Sequence, residues 1–359
     1  MMYKEDWKLV KGMFKEWWEN GDNILIQVIT PRTGFEEQWY NWDTWLFMKN
    51  LDNFRKVVKH FIKWCEMTYF GGAAYPNLWI NFGPGILAAF LGAPLKFTGD
   101  TVWFGASHDP SYSKSLDELL KGLEIDKSNI WWKRVREATK IASEMSRDKF
   151  IVGITDIGGV VDVLASLRGT LNLLKDMFIR PNDVEKVIWN IFEIWHWCYD
   201  ELCKLITQEG TSAWMGLWCH ERWYPIQCDF AYMLSPRLFR RFVLPHIIEH
   251  CKLLDHVIYH LDGPGELPHV DMLLSIKELD GIQWVPGASM ELSGYHCGSP
   301  RWLPLYRKIL KAGKRLVIAV PPNSIDFLLR ELPHRGILFQ TYCKTEYEAK
   351  KLLKKYGIL

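Results

Sequence analysis

Two kinds of apolar pattern alternate along the chain. Short runs rich in β-branched and aromatic residues occur at 24–30 (ILIQVIT), 77–82 (NLWINF), 150–155 (FIVGIT), 212–218 (SAWMGLW), 256–261 (HVIYHL), 281–285 (GIQWV), 315–320 (RLVIAV) and 336–340 (GILFQ). Such runs predict about eight strands. Between nearly all of them the apolar residues recur at helical spacing, as in 51–70 and 181–206. Ser235 before Pro236 predicts a helix start, and the last helix is predicted from Thr345 to the lysines before Gly357. Strands alternating with helices predict an α/β fold. The length, and the lack of a GxGxxG after the first strand, favour a (β/α)8 TIM barrel over an open doubly wound sheet. The expectation is a single barrel domain over 1–359 with an N-terminal helical extension.

Composition narrows the function classes. Hydrophobic residues make up 48% of the 359-residue chain, ample for a large core. With 44 basic and 42 acidic residues the net charge is +2, and no basic block stands out, so neither nucleic acid nor an anionic membrane is the expected partner. The start lacks the apolar core of a signal peptide, and the most apolar stretch, 78–95, is broken by Gly and Pro. A soluble cytoplasmic protein is the expectation. Eight scattered cysteines without a CxxC read as free thiols. Nineteen tryptophans imply a large aromatic core, with some rings free to line a pocket for a flat or cationic ligand.

In a barrel the reactive groups sit at the C-terminal strand ends. After the second strand Asn81 precedes Gly83 and Gly85, which would let backbone approach a ligand, or simply turn the chain into a helix. Asp156 ends the third strand and is either a proton-transfer group or a helix cap. A long connection, CHERWYPIQCDFAYMLSP, then carries His220, Glu221 and Asp229, with His220 and Glu221 equally readable as surface residues. The fifth strand ends in His260-Leu-Asp262, whose period-two spacing puts both side chains on one face, and Gly-Pro-Gly then turns the chain. Cys343 follows the eighth strand just before the last helix, whose N-terminus can lower a thiol's pKa. Asp156, Glu221 and Asp229 are the candidate catalytic groups. Asn81, Trp79, His220, Trp284 and Tyr259 are the candidate substrate contacts. His260, Asp262 and Cys343 would make a three-ligand Zn²⁺ site with one open position.

The segments WINFGPGILAAFLGAP, GITDIGGVVDVLASLRGTLNLLKDMFIRP, LSPRLFRRFVLPHI, VIYHLDGPG and GILFQTYCKTEYEAKKLL, in this order, give the chain its family likeness. It resembles the uroporphyrinogen decarboxylase superfamily, which also holds cobalamin-dependent methyltransferases. The resemblance implies a (β/α)8 barrel. True uroporphyrinogen decarboxylases carry an Arg-Gln-Ala-Gly-Arg segment where this chain has ITPRTGFEEQW. They carry an Asp where it has FGPGIL, and a C-terminal His where it has Cys343. The resemblance is therefore closer to the methyltransferase branch, which uses His-x-Cys-Gly and a distal Cys as zinc ligands. His260, Gly263 and Cys343 match that pattern, and Asp262 replaces the Cys. It implies a corrinoid-linked methyltransferase with zinc, acting with a small substrate and a separate cobalamin (corrinoid) protein. A homodimer is also an expectation. The alternatives are a metal-free decarboxylase or lyase, with Arg32, Arg168 or Arg222 holding a carboxylate, and a non-catalytic tetrapyrrole- or corrinoid-binding barrel.

Overall fold

The computed structural model describes residues 1–107, 109 and 111–358. Nine strands matter for the site: β1 (Leu25–Pro31), β2 (Thr68–Gly72), β3 (Asn77–Trp79), β4 (Ile151–Gly153), β5 (Trp223–Gln227), β6 (His256–Asp262), β7 (Gly281–Val285), β8 (Arg315–Ala319) and β9 (Ile337–Tyr342). The main sheet runs in the order β2-β1-β9-β8-β7-β6-β5. All its ladders are parallel except β1 with β2. Strands β3 and β4 form a separate parallel pair, and beyond it Ile154 makes a single parallel bridge to Ala213.

Each strand follows its composition. Along β6 the apolar Val257, Tyr259 and Leu261 are buried, whereas His260 and Asp262 are half-buried. Alternation thus puts the apolar set toward the helices and the polar set toward the sheet's other face. The fold is a mixed α/β one around a large, mainly parallel sheet. Hydrogen bonding among the described residues does not close that sheet: antiparallel β2 occupies the free side of β1. The closed eight-stranded barrel that the strand count predicts is therefore not what the ladders show.

One strand expectation is corrected. Residues 212–218 are not a long strand. Thr211–Ser212 pairs antiparallel with Trp218–Cys219, so the chain reverses near Gly216. The strand that comes next, β5, lies inside what reads as a loop in the sequence.

The helices between and around these strands include α1 (Trp7–Glu19), α2 (Phe54–Glu66), α3 (Val160–Arg168), α4 (Pro181–Cys203), α5 (Pro236–Phe242), α6 (Leu244–Leu253) and α7 (Glu346–Lys355). The helix starts predicted at Ser235 and Thr345 are present: each side chain accepts an amide hydrogen bond three residues on. The amphipathic α1 buries Val10, Phe14, Trp17 and Trp18. It lies over the N-terminal strand ends, where Trp18 Nε1 donates to the Trp218 carbonyl at 2.9 Å and Arg315 Nε donates to the Trp17 carbonyl at 2.6 Å. Six tryptophans (Trp17, Trp18, Trp195, Trp218, Trp223 and Trp284) are among the largest fully buried side chains. Each such burial contributes about 4–6 kcal/mol before entropy is counted. No helix of the described residues is long and apolar enough to cross a membrane.

Candidate metal centre

The C-terminal strand ends bring a histidine and several carboxylates together. His260 and Asp262 come from β6. Asp229 opens the 3-10 turn Asp229–Met233 directly after β5, which pairs with β6. The ligand atoms of Asp229, His260 and Asp262 all lie within 4.8 Å of one another. This is the one group of its kind found among the described residues.

Neighbouring residues hold these three in place. His260 faces Gln283 across the β6–β7 ladder, and its Nδ1 lies 2.6 Å from Gln283 Oε1. A hydrogen on Nδ1, donated to that amide oxygen, leaves the Nε2 lone pair for a ligand. The Trp214 ring meets the imidazole edge-on at 5.2 Å. Asp162, in the first turn of α3, accepts from the backbone amides of Asp229 (3.1 Å) and Phe230 (2.8 Å) and so fixes the turn that presents Asp229. The Asp262 amide donates to Glu266 at 3.1 Å, and Tyr259 O–H donates to the same carboxyl at 2.8 Å. Gly263 and Gly265 do more than turn the chain. A side chain on Gly265 would meet the Tyr232 ring at 2.4 Å, so the bare glycine lets the turn after β5 lie on the turn after β6.

The site is acid-rich. Burial, reinforced by the charge of Asp229, pushes the Asp156 carboxyl up to about 7, against hydrogen bonds from the Gly158 and Gly85 amides. Burial and Asp229 likewise push Asp162 up to about 8. Burial raises Asp262 too, with His260 opposing and Asp229 adding, and it raises Glu266 well above the carboxylate range. Asp229 itself is exposed, and the buried carboxyls around it resist ionising beside its charge. A divalent cation would relieve that repulsion. Two carboxylate oxygens and one imidazole nitrogen suit zinc with an open position, and they are harder than a set containing thiolate.

The remaining candidates are divided among several places. Asp156 adjoins the group through its interaction with Asp229. Asn81 is fully buried; its Oδ1 accepts from the Gly83 amide at 2.9 Å, and its Nδ2 has no partner among the described residues. Trp79 lines a cavity of about 640 Å³. Tyr259 and Trp284 do not face it: alternation turns them toward the helices, where Tyr259 bonds Glu266 and Trp284 packs on Trp302 at 4.8 Å. His220 and Glu221 sit at the other end of the sheet, because the reversal near Gly216 carries them back to the start of β5. There His220 lies 3.5 Å from Glu19, and Glu221 lies 3.2 Å from His256. His256 begins β6, about 13 Å along the strand from His260.

Cys343 is not a member of the metal-competent group. Its thiol is buried, and burial followed by the Glu348 charge pushes it up to about 11, opposite in direction to the lowering expected from the α7 N-terminus. Asp162, Glu266, Gln283 and Trp214 were not singled out in the sequence. Asp162 reads there as an ordinary first-turn helix acid, and only Gln283, polar amid an apolar strand, carries a usable signal.

The cavity opens beside this centre. Gln283 and Trp214, both touching His260, also line it. Its other walls include Trp39, Trp42, Trp64, Trp79 and Phe61, with Gln27 and Gln340 amides at its base. No Lys, Arg, Asp or Glu is among its lining residues.

No family model and no curated protein sequence matches the chain. Among solved structures it is similar to a methyltransferase from Methanosarcina mazei, with a TM-score of 0.59 over 96% of this chain and 97% of that one. The two are 14% identical in sequence, so this likeness shows a shared fold.

Proposed function

We propose that this chain is a methyl-transferring enzyme, working with a zinc-like divalent metal held by Asp229, His260 and Asp262. The observation that carries the reading is the convergence of these three ligands beside an uncharged aromatic cavity. The shared fold with a methyltransferase supports it. When bound, the metal supplies Lewis acidity toward the heteroatom of a methyl donor or acceptor. Gln283 sets the His260 ring, and Asp162 holds the Asp229 turn. Asp156, buried beside Asp229 with its carboxyl raised by burial, is the candidate proton-transfer group. The tryptophan walls exclude water and position the methyl-bearing group. A separate cobalamin protein is the proposed methyl carrier, docking over the exposed Tyr232 and Met233 beside Asp229.

The lyase alternative needs a cation to hold a substrate carboxylate. Arg168 is held by Asp176 at 2.6 Å and Arg222 by Asp200 at 2.6 Å, and neither they nor Arg32 lines the cavity. This disfavours the alternative. The direct test is elemental analysis of the purified protein. About one equivalent of metal is expected in the wild type, with loss in His260→Ala and Asp229→Ala. A metal-free wild type, or variants that keep their metal, would remove the basis of the proposal.

A further inference from the structure

We infer that the cavity beside His260 binds a methylated onium group, a quaternary ammonium or sulfonium carried on a small polar molecule. The inference deepens the proposed function by naming the substrate class, and it rests on that reading for its catalytic meaning.

The volume of about 640 Å³ suits a small organic molecule. Five tryptophans (Trp39, Trp42, Trp64, Trp79 and Trp214) line it together with Phe61. An anion has no partner here, because the lining holds neither Lys nor Arg. A bare primary ammonium would need acceptors for three N–H bonds. A methylated onium needs none: its charge is spread over methyl groups, it is weakly hydrated, and aromatic faces attract it. Trp42 meets Phe61 at 5.0 Å and 75°, and Trp64 at 6.0 Å and 46°, while Trp64 meets Phe70 at 5.6 Å and 79° and Phe61 at 5.5 Å and 30°. Rings set at several angles offer a rounded cation faces in more than one direction, and the anisole comparison below separates it from a flat aromatic ether. Gln283 Nε2 and Gln340 Oε1, the amide atoms not already engaged by His260, Gln27 or the Met215 carbonyl, would receive the polar tail. Trp214, shared between cavity and His260, places an onium methyl near the metal ligands.

The test compares choline with its neutral, isosteric carbon analogue, 3,3-dimethylbutan-1-ol, and with anisole, using titration calorimetry on the full chain. Choline should bind at least about tenfold tighter than either neutral probe, and Trp42→Leu should remove about tenfold of that affinity. Trp39→Leu, at a half-exposed wall position, gives the same readout should Trp42→Leu fold poorly. Neutral probes binding as well as choline, choline binding indifferent to both tryptophan changes, or no saturable choline binding would each overturn the inference. His260→Ala separates the two ideas. Metal loss with choline affinity kept supports both. A wild type that binds choline but no metal leaves the onium site standing and removes the metal centre.

Discussion

Three histidines on α4 and α6 should each make a contribution to stability that is lost in mild acid. His196 on α4 and His246 and His250 on α6 pack together, with ring centroids 4.9 Å apart for His196–His250 and 5.9 Å for His246–His250. Phe192 and Trp195 pack against His250. His246 is 2% exposed, and neither of its ring nitrogens has a partner among the described residues. Burial lowers its pKa to about 3, and lowers that of His196 to about 4. An unfolded histidine titrates near 6.5. The unfolded chain therefore binds these protons more tightly, and stability present above pH 6.5 is lost as pH falls toward the folded values. At pH 5 the gap for His246 is about 1.5 units, or about 2 kcal/mol, with His196 adding about as much. Replacing His246 with Leu removes its share. It also removes two unpartnered buried nitrogens, so the variant should be about 1–3 kcal/mol more stable at pH 7. Urea unfolding at pH 7, 6 and 5 measures both effects. Asp156 and Asp162, with raised folded pKa values, work in the opposite sense: they lose stability as pH rises toward 7–8. They are common to both proteins and cancel in the difference. Equal stability losses from pH 7 to 5 in wild type and His246→Leu would refute the reasoning.

Cys343→Ser should keep its full metal content, measured by elemental analysis, because the thiol lies outside the ligand group; loss of metal would restore Cys343 as a ligand. Gln283→Leu should weaken metal binding by about 10–100-fold in a chelator competition, since it frees the His260 ring, while thermal stability changes little. Gly158→Ala should cost more than about 2 kcal/mol in urea unfolding, because Gly158 has φ +88° and its added methyl would lie 2.4 Å from the Gly85 backbone.

How much was legible in the sequence depended on how local each feature is. The composition of β1, β6, β7, β8 and β9 was enough to place them, and period two put His260 with Asp262. Strand β5 escaped because Pro225 interrupts WYPIQ, and proline argues against a central strand. Here β5 is the edge of the main sheet, where a missing N–H is tolerated. Missing β5 then misplaced His220 and Glu221, since the loop holding them leads into a strand instead of leaving one. Asp229 could be singled out, but its joining His260 depends on β5 pairing with β6, which no local pattern encodes. Cys343 entered the ligand set from its place at a strand end, and the resemblance repeated that choice. Whether a thiol beyond a strand end faces the cavity or the α7 packing is decided by tertiary burial.

The clasp made by α1 bears on how the chain folds. Trp18 finds its partner 200 residues later and Trp17 finds Arg315 298 residues later. At about 5–20 residues per second, about 15–60 s of synthesis separate Trp17 from Arg315. Over that interval two tryptophans that end fully buried have no final place to go. These contacts of α1 in the finished molecule therefore have to wait for the second half of the chain.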